Sequence, residues 1–216
     1  MTLKAFAVAG CAAVTLALAT AAVAAVINGT PGDDVLRGTP QADELRAFGG
    51  NDRIYANDGA DLIRAGSGND EARGGDGGDL VYGGKGSDVI GGGNRDDRVY
   101  GGSDSDRVHG ADGADRVAGN RGDDAVHGGN GNDSVFGGWG ADRAFGGDGD
   151  DQLHALAADG QRDILNCGSG DDKAFVLRSE RPNTRLIGCE TLYVVVSLTD
   201  DQAEGENSDA DAEAEG

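Results

Sequence analysis

The sequence predicts an all-β solenoid in which short strands stack in successive coils. The first observation is a period of nine residues, which runs from Gly29 to His154 through fourteen units without an insertion or deletion. The second is an Asp at the sixth position of every unit, and the third is an apolar residue at every eighth position. A short fixed period is typical of a solenoid, because each unit buries its apolar face only against its neighbours.

Each unit divides into a loop and a strand. The ideal unit is Gly-Gly-x-Gly-x-Asp-x-aliphatic-x, and residues 83–91 and 128–136 are clean copies of it. Glycine permits positive φ and a close approach of backbone carbonyls, so the first six residues are predicted to form a loop. The last three are predicted to form a short strand whose middle residue points inward.

The period places two sets of side chains in columns along the solenoid. The sixth-position column is Asp34, Asp43, Asp52, Asp61, Asp70, Asp79, Asp88, Asp97, Asp106, Asp115, Asp124, Asp133, Asp142 and Asp151. The eighth-position column is Leu36, Leu45, Ile54, Ile63, Ala72, Val81, Ile90, Val99, Val108, Val117, Val126, Val135, Ala144 and Leu153. A column of unpaired carboxylates requires cations to offset its charge.

Residues 1–25 are predicted to be a cleavable secretory signal, which indicates a secreted, extracellular protein. Lys4 gives a basic start, an apolar run follows over 5–20, and Ala22-Val23-Ala24 is a small-x-small cleavage site. The alternative is a membrane anchor, but the run is short, rich in Ala and ends in a cleavable site. We therefore expect no membrane insertion.

Two cysteines remain after this signal, Cys167 and Cys189. In an oxidising compartment an even pair of this kind predicts a disulfide, and the alternative is two free thiols.

The nonapeptides over residues 29–154 resemble the RTX family of hemolysin-type calcium-binding repeats. The resemblance implies a right-handed parallel β-roll with two units in each coil of 18 residues. It also implies several Ca²⁺ ions in loops between successive coils, bound by Asp carboxylates and loop carbonyls. This metal-binding role falls on the fourteen sixth-position Asp residues, and on Asp163 and Asp172 in two degenerate units over 158–175.

The chemistry of the loops also favours calcium. Their ligands are all oxygen and their backbone is flexible, which suits a hard cation with six or more ligands, whereas zinc and copper prefer His or Cys. Each unit buries only one aliphatic side chain, so we expect the calcium-free chain to be largely unfolded. We expect weaker or missing calcium binding near 38–48 and 92–109. Gln41, Arg95 and Asp104 replace the fourth-position Gly there, and Ala47-Phe48 replaces Gly-Gly at the start of unit 47–55.

The repeats give way to two further segments at the C-terminal side. After His154 the period slips by three residues, and the β-rich, apolar stretch that ends at Val196 leads us to interpret 155–196 as a cap for the open end of the solenoid. Residues 197–216 carry acidic side chains and no basic one, which predicts a disordered tail.

Charge and composition limit the partners of the chain. The net charge is −21 over 216 residues, which argues against binding to nucleic acid or an anionic membrane.

His109 and His127 are 18 residues apart, as are Tyr82 and Tyr100, so each pair is predicted to lie on adjacent coils of an outer face. The His pair is either a transition-metal site or two solvated residues. The aromatic strip either stacks across strands or binds a cell-surface glycan or protein.

No catalytic motif is present. The sequence has no Gly-x-Ser-x-Gly elbow, no His-Glu-x-x-His zinc motif and no phosphate loop, so we expect no enzymatic activity. The predicted function is that of a secreted calcium-binding protein, with a cell-surface or matrix module as its biological setting. The alternatives are a hemolysin-like toxin and an accessory module for a separate secreted enzyme.

Overall fold

The fold is built from strands alone. The computed structural model describes residues 4–6 and 24–196, and side chains from residue 24 onward. Its strands are β1 (Lys4–Phe6), β2 (Val26–Asn28), β3 (Val35–Arg37), β4 (Glu44–Arg46), β5 (Arg53–Asp58), β6 (Leu62–Ser67), β7 (Glu71–Asp76), β8 (Leu80–Lys85), β9 (Val89–Asn94), β10 (Arg98–Ser103), β11 (Arg107–Asp112), β12 (Arg116–Arg121), β13 (Ala125–Asn130), β14 (Ser134–Trp139), β15 (Arg143–Asp148), β16 (Gln152–Ala155), β17 (Ile164–Ser169), β18 (Lys173–Leu177), β19 (Arg185–Ile187) and β20 (Thr191–Val195).

The strands form two parallel sheets that the chain visits alternately. Sheet A has the order β1-β2-β4-β6-β8-β10-β12-β14-β16-β18-β20, and sheet B has the order β19-β17-β15-β13-β11-β9-β7-β5-β3. The chain therefore winds as a β-solenoid of about nine turns, which confirms the predicted fold class. In the described part of the chain no helix is long and apolar enough to cross a bilayer.

Two predicted segments fall mainly outside the described residues. The tail over 197–216 lies there entirely. Of the predicted signal over 1–25, only 4–6 and 24–25 are described, and β1 pairs in parallel with β2.

Adjacent coils are aligned at a spacing of 18 residues. In sheet A, for example, Val99 lies between Val81 and Val117. This register stacks every eighth-position side chain between the two sheets, and from Leu36 to Leu153 each is at most 1% exposed. The prediction that this column points inward is confirmed, and it forms one continuous core along the solenoid.

The strands from β5 to β15 have six residues each, twice the length that the repeat predicts. β8 covers the last three positions of one unit and the first three of the next, so that only Gly86, Ser87 and Asp88 connect it to β9. The prediction that all six leading residues form a loop is confirmed in the first three units, where 29–34, 38–43 and 47–52 lie between strands, and is wrong in the later ones. The second position pairs with the next coil although its φ is positive, as Gly84, with a φ of 115°, faces Gly102.

The second and fourth positions keep a left-handed backbone in most units, even where glycine is absent. Phe48, Asn57, Ala111 and Asn120 at the second position have φ between 75° and 93°. At the fourth position Arg95 has a φ of 80° and Asp104 a φ of 77°. These two substitutions therefore leave the path of the backbone unchanged, although we expected them to weaken the site.

The register changes after His154, as the sequence predicts. Arg143 of β15 faces Ile164 of β17, and Gln152 of β16 faces Lys173 of β18, so that the spacing between these coils is 21 residues. The spacing returns to 18 between β18 and β20, where Lys173 faces Thr191. The inserted residues Ala155, Leu156 and Ala157 are buried.

Residues 155–196, which we interpreted as a cap, continue the coil and add strands to both sheets. The inward position of β20 is Leu192, which faces the buried Ala174 on one side but is itself 38% exposed. Within the described residues no strand lies beyond β20. This segment therefore extends the solenoid, and its last coil leaves apolar side chains at the surface.

The structure contains the predicted disulfide between Cys167 and Cys189. The Cys167 side chain is fully buried in the core, and the bond joins β17 to the segment between β19 and β20. It fastens the last coil to the coil before it.

Replacing both cysteines by alanine should lower the free energy of unfolding. The bond closes a loop with a sequence separation of 22 residues. Loss of that constraint on the unfolded chain corresponds to about 3 kcal/mol. Guanidinium titration of the calcium-loaded protein measures the difference, with the wild type in reductant as the control. Equal midpoints for the variant and the oxidised wild type would contradict the expectation.

Candidate metal centre

The sixth-position carboxylates form two ladders inside the solenoid, one at the start of each sheet's strands. Each of these Asp side chains is at most 8% exposed. In one ladder the backbone N–H of Asp88 donates to Oδ1 of Asp106 at 2.7 Å, and the N–H of Asp106 donates to Oδ1 of Asp124 at 2.7 Å. In the other, the N–H of Asp97 donates to Oδ1 of Asp115 at 2.7 Å. One carboxylate oxygen thus links each coil to the preceding coil.

The ladders extend through the degenerate repeats. The N–H of Asp142 donates to Oδ1 of Asp163 at 3.0 Å, and the N–H of Asp151 donates to Oδ1 of Asp172 at 2.8 Å. The second ladder ends at Glu190, whose Oε2 accepts the N–H of Asp172 at 3.0 Å. Glu190 is not among the residues predicted from the sequence. Its signal is its place two residues before Leu192, which is the spacing between the sixth and eighth positions.

The second carboxylate oxygen is buried without a hydrogen-bond partner along most of both ladders. Oδ2 is in this state in Asp52, Asp61, Asp70, Asp79, Asp88, Asp97, Asp106, Asp115, Asp124, Asp133, Asp151 and Asp172. A buried anionic oxygen with no partner is costly unless a proton or a cation compensates it.

In most units the second carboxylate oxygen lies beside a first-position glycine and a backbone carbonyl oxygen of the next coil. The point that a Cβ on Gly101 would occupy lies 2.5 Å from Oδ2 of Asp106 and 2.7 Å from the carbonyl oxygen of Gly119 on the next coil. A side chain at Gly101 would therefore fill the space on which these two oxygens converge. Glycine holds the first position in most units, whereas Ala47, Ala56 and Ala65 hold it in the third, fourth and fifth.

Burial also makes these carboxyls weak acids when no ion is bound. Burial, assisted by the neighbouring carboxylates, raises the pKa of Asp52 and of Asp61 from 3.8 to about 7. The pKa of Asp88 rises to about 8 and that of Asp106 to about 9 for the same reasons. Near neutral pH the ladders therefore hold protons that a bound cation would displace.

The donor set fits a hard cation. In the described part of the chain, no three His, Cys, Asp or Glu side chains converge on one point. A cation at the second oxygens would therefore combine few carboxylates with backbone carbonyls. Flexible, all-oxygen coordination of this kind is the chemistry of Ca²⁺.

The two histidines considered as a transition-metal pair stack face to face instead. The ring centroids of His109 and His127 are 4.5 Å apart, and Phe145 continues the stack at 4.4 Å from His127. Burial lowers the pKa of both histidines. They are adjacent on one outer face, as predicted, and the described residues bring no third metal-binding side chain to them.

The aromatic strip on sheet A is also stacked. Tyr82 and Tyr100 are 5.2 Å apart, and a second run continues from Phe136 through His154 and Phe175 to Tyr193. Between the two runs, the Arg116 guanidinium lies 4.1 Å from the ring centroid of Phe136. Tyr100 and Phe136 are less than 9% exposed, which favours stacking across strands as their role.

Together, a parallel solenoid and two internal carboxylate ladders define a repeat protein that binds metal ions along its length. The family model for the RTX calcium-binding nonapeptide repeat matches the chain in four copies, at residues 28–63, 55–90, 91–126 and 119–153. The protein therefore belongs to the RTX calcium-binding repeat family, and calcium is the ion that its repeats bind. A search of curated proteins finds no match.

Adding a methyl group to a first-position glycine should disrupt the ladder. In Gly101→Ala the new Cβ would overlap Oδ2 of Asp106 and a carbonyl oxygen, which should lower the stability of the calcium-loaded protein by about 3 kcal/mol. Gly91→Ala is the matched control, since its Cβ would meet no atom within 4 Å and its φ is not positive. Thermal unfolding with calcium measures both, and equal losses would contradict the expectation.

Proposed function

We propose that the protein is a secreted, non-enzymatic calcium-binding protein whose repeats fold as the ions bind. The observation that carries this proposal is the row of buried Oδ2 atoms without hydrogen-bond partners, most of them in units that begin with glycine. Bound calcium would supply the positive charge that these oxygens need. The Asp residues of the two ladders would hold it, together with Asp163 and Asp172 in the degenerate repeats.

The two carboxylate oxygens and the core side chains would have different roles in binding. From Asp43 onward, Oδ1 of each ladder Asp fixes the carboxylate by accepting a backbone N–H of the preceding coil, as Asp151 does for Asp133 at 2.8 Å. Oδ2 remains available for the ion, while the core of eighth-position side chains holds successive coils in register. An ion bound between two coils would therefore stabilise both of them.

A calcium titration followed by calorimetry and circular dichroism tests this function. We expect heat of binding and a rise in β signal together, because the ions and the fold depend on one another. Magnesium is the control, since its strict octahedral geometry and tightly held water suit this flexible loop poorly. Binding of calcium without a change in the spectrum would refute coupled folding, and no binding would refute the function.

The proposed extracellular setting rests on the predicted signal over 1–25 and is tested separately. Mass spectrometry of protein from the culture medium should find a mature N-terminus near Ala24 or Ala25. Fractionation with and without calcium then distinguishes a free protein from one attached to the cell surface or matrix. Lysis of erythrocytes would indicate the hemolysin-like alternative, and an enzyme that copurifies only with calcium would indicate the accessory module.

A further inference from the structure

The first two repeats have a loop that differs from those of the other twelve nonapeptides, all of which have positive φ at the second position. Residues 29–34 and 38–43 both begin Gly-Thr-Pro, and these two units contain two of the three prolines in the chain. Neither Thr30 nor Thr39 at the second position has positive φ, nor do Gly32 and Gln41 at the fourth. In the next unit Phe48 and Gly50 already have φ of 75° and 108°.

The Thr-Pro pair accounts for this conformation. The ring of a proline disfavours helical backbone conformations in the preceding residue and directs it to extended ones. Threonine is also β-branched, which makes positive φ costly. Thr30 and Thr39 therefore cannot readily adopt the left-handed turn of later loops.

The altered loop directs donors at the ladder. The backbone N–H of Thr30 donates to Oδ2 of Asp34 at 2.5 Å, and its hydroxyl donates to the same oxygen at 2.9 Å. The N–H of Thr39 donates to Oδ2 of Asp43 at 2.5 Å, and its hydroxyl donates to Oδ1 at 3.1 Å. In the first two units the second carboxylate oxygen is thus hydrogen-bonded by the protein itself, unlike Oδ2 of Asp52 or Asp61.

We propose that the calcium array begins at the third repeat, because Thr30 and Thr39 supply to Asp34 and Asp43 the compensation that an ion supplies to later carboxylates. The first coil is then an ion-independent end of the solenoid. This inference rests on the proposed function, and it removes Asp34 and Asp43 from the predicted set of metal-binding residues.

Matched substitutions in one ladder test the inference. Native mass spectrometry of the full chain in excess calcium counts the ions bound by Asp34→Asn and by Asp124→Asn. We expect Asp34→Asn to keep the wild-type ion count and Asp124→Asn to lose at least one ion. Loss of ions from both variants would overturn the inference while leaving the function intact, whereas a wild type without calcium would overturn the function itself.

A gain-of-site variant tests the same inference in the opposite direction. Thr30→Gly combined with Pro31→Asn converts the first unit from Gly-Thr-Pro-Gly-Asp-Asp to Gly-Gly-Asn-Gly-Asp-Asp, which reproduces the start of residues 128–133 apart from one position. We expect this variant to bind at least one ion more than the wild type. An unchanged ion count in the folded variant would show that Thr30 and Pro31 do not exclude calcium.

Discussion

Removing calcium at neutral pH is expected to unfold the solenoid. Without ions, the buried second oxygens either stay charged without a partner or hold protons. Both states cost free energy, because burial and, less strongly, neighbouring carboxylates raise the pKa of carboxyls such as that of Asp97 to about 7. The core offers little to oppose this cost, because its eighth-position column contributes one aliphatic side chain per unit. Circular dichroism and size-exclusion chromatography in excess chelator should report a largely disordered, expanded chain.

The matched control is re-addition of metal. Calcium should restore the β spectrum and the compact elution volume, whereas magnesium at the same concentration should not. A complete β spectrum in excess chelator at neutral pH would contradict this prediction, and it would show that the core alone sustains the fold.

Acid should restore structure to the ion-free chain. The pKa of Asp52 is about 7 in the folded state against 3.8 for an unperturbed group, and that of Asp106 is about 9. A folded-state pKa raised in this way gives stability that is fully present below the unfolded value and is lost as pH rises through the folded value. Ion-depleted protein should therefore be most structured near pH 4 and lose its β signal as pH increases from there to about 9.

Protonation of the histidines opposes folding, in contrast to protonation of the buried carboxyls, but the chain has only three histidines. Burial lowers the pKa of His154 to about 4, so its protonation at acidic pH opposes folding. A circular dichroism titration of ion-depleted protein measures the balance. Steady loss of β signal as pH falls would contradict the prediction. With calcium present the dependence should reverse, since protons compete with the ion for the same oxygens.

The period of the sequence was sufficient to predict the fold and the columns of the candidate site. Because the side chains of a strand alternate, an aliphatic residue at the eighth position had to face the core, and the sixth-position Asp two residues earlier had to lie on the same side. The position of Asp133 beside Val135 follows from this rule. Its partner Asp151 follows from the 18-residue coil.

The remaining features depend on the backbone, for which composition is a poor guide. Glycine permits both loops and extended strands, so the first three positions were assigned to loops although they complete strands such as β8. The Thr30-Pro31 pair was not singled out from the sequence, yet the Thr30 N–H donates to Oδ2 of Asp34. Glu190 does not match the sixth-position Asp pattern, and only its pairing with Asp172 in the structure identifies it.

The 18-residue register has a consequence for how such a chain can change in length. An in-frame duplication of one whole coil would add a strand to each sheet and leave every column intact. Duplication of a single unit would instead transfer all later strands to the opposite sheet. If the duplicated unit lay between Tyr100 and Phe136, the two aromatic stacks would be on different sheets. Natural variants of this gene are therefore expected to gain or lose repeats in pairs.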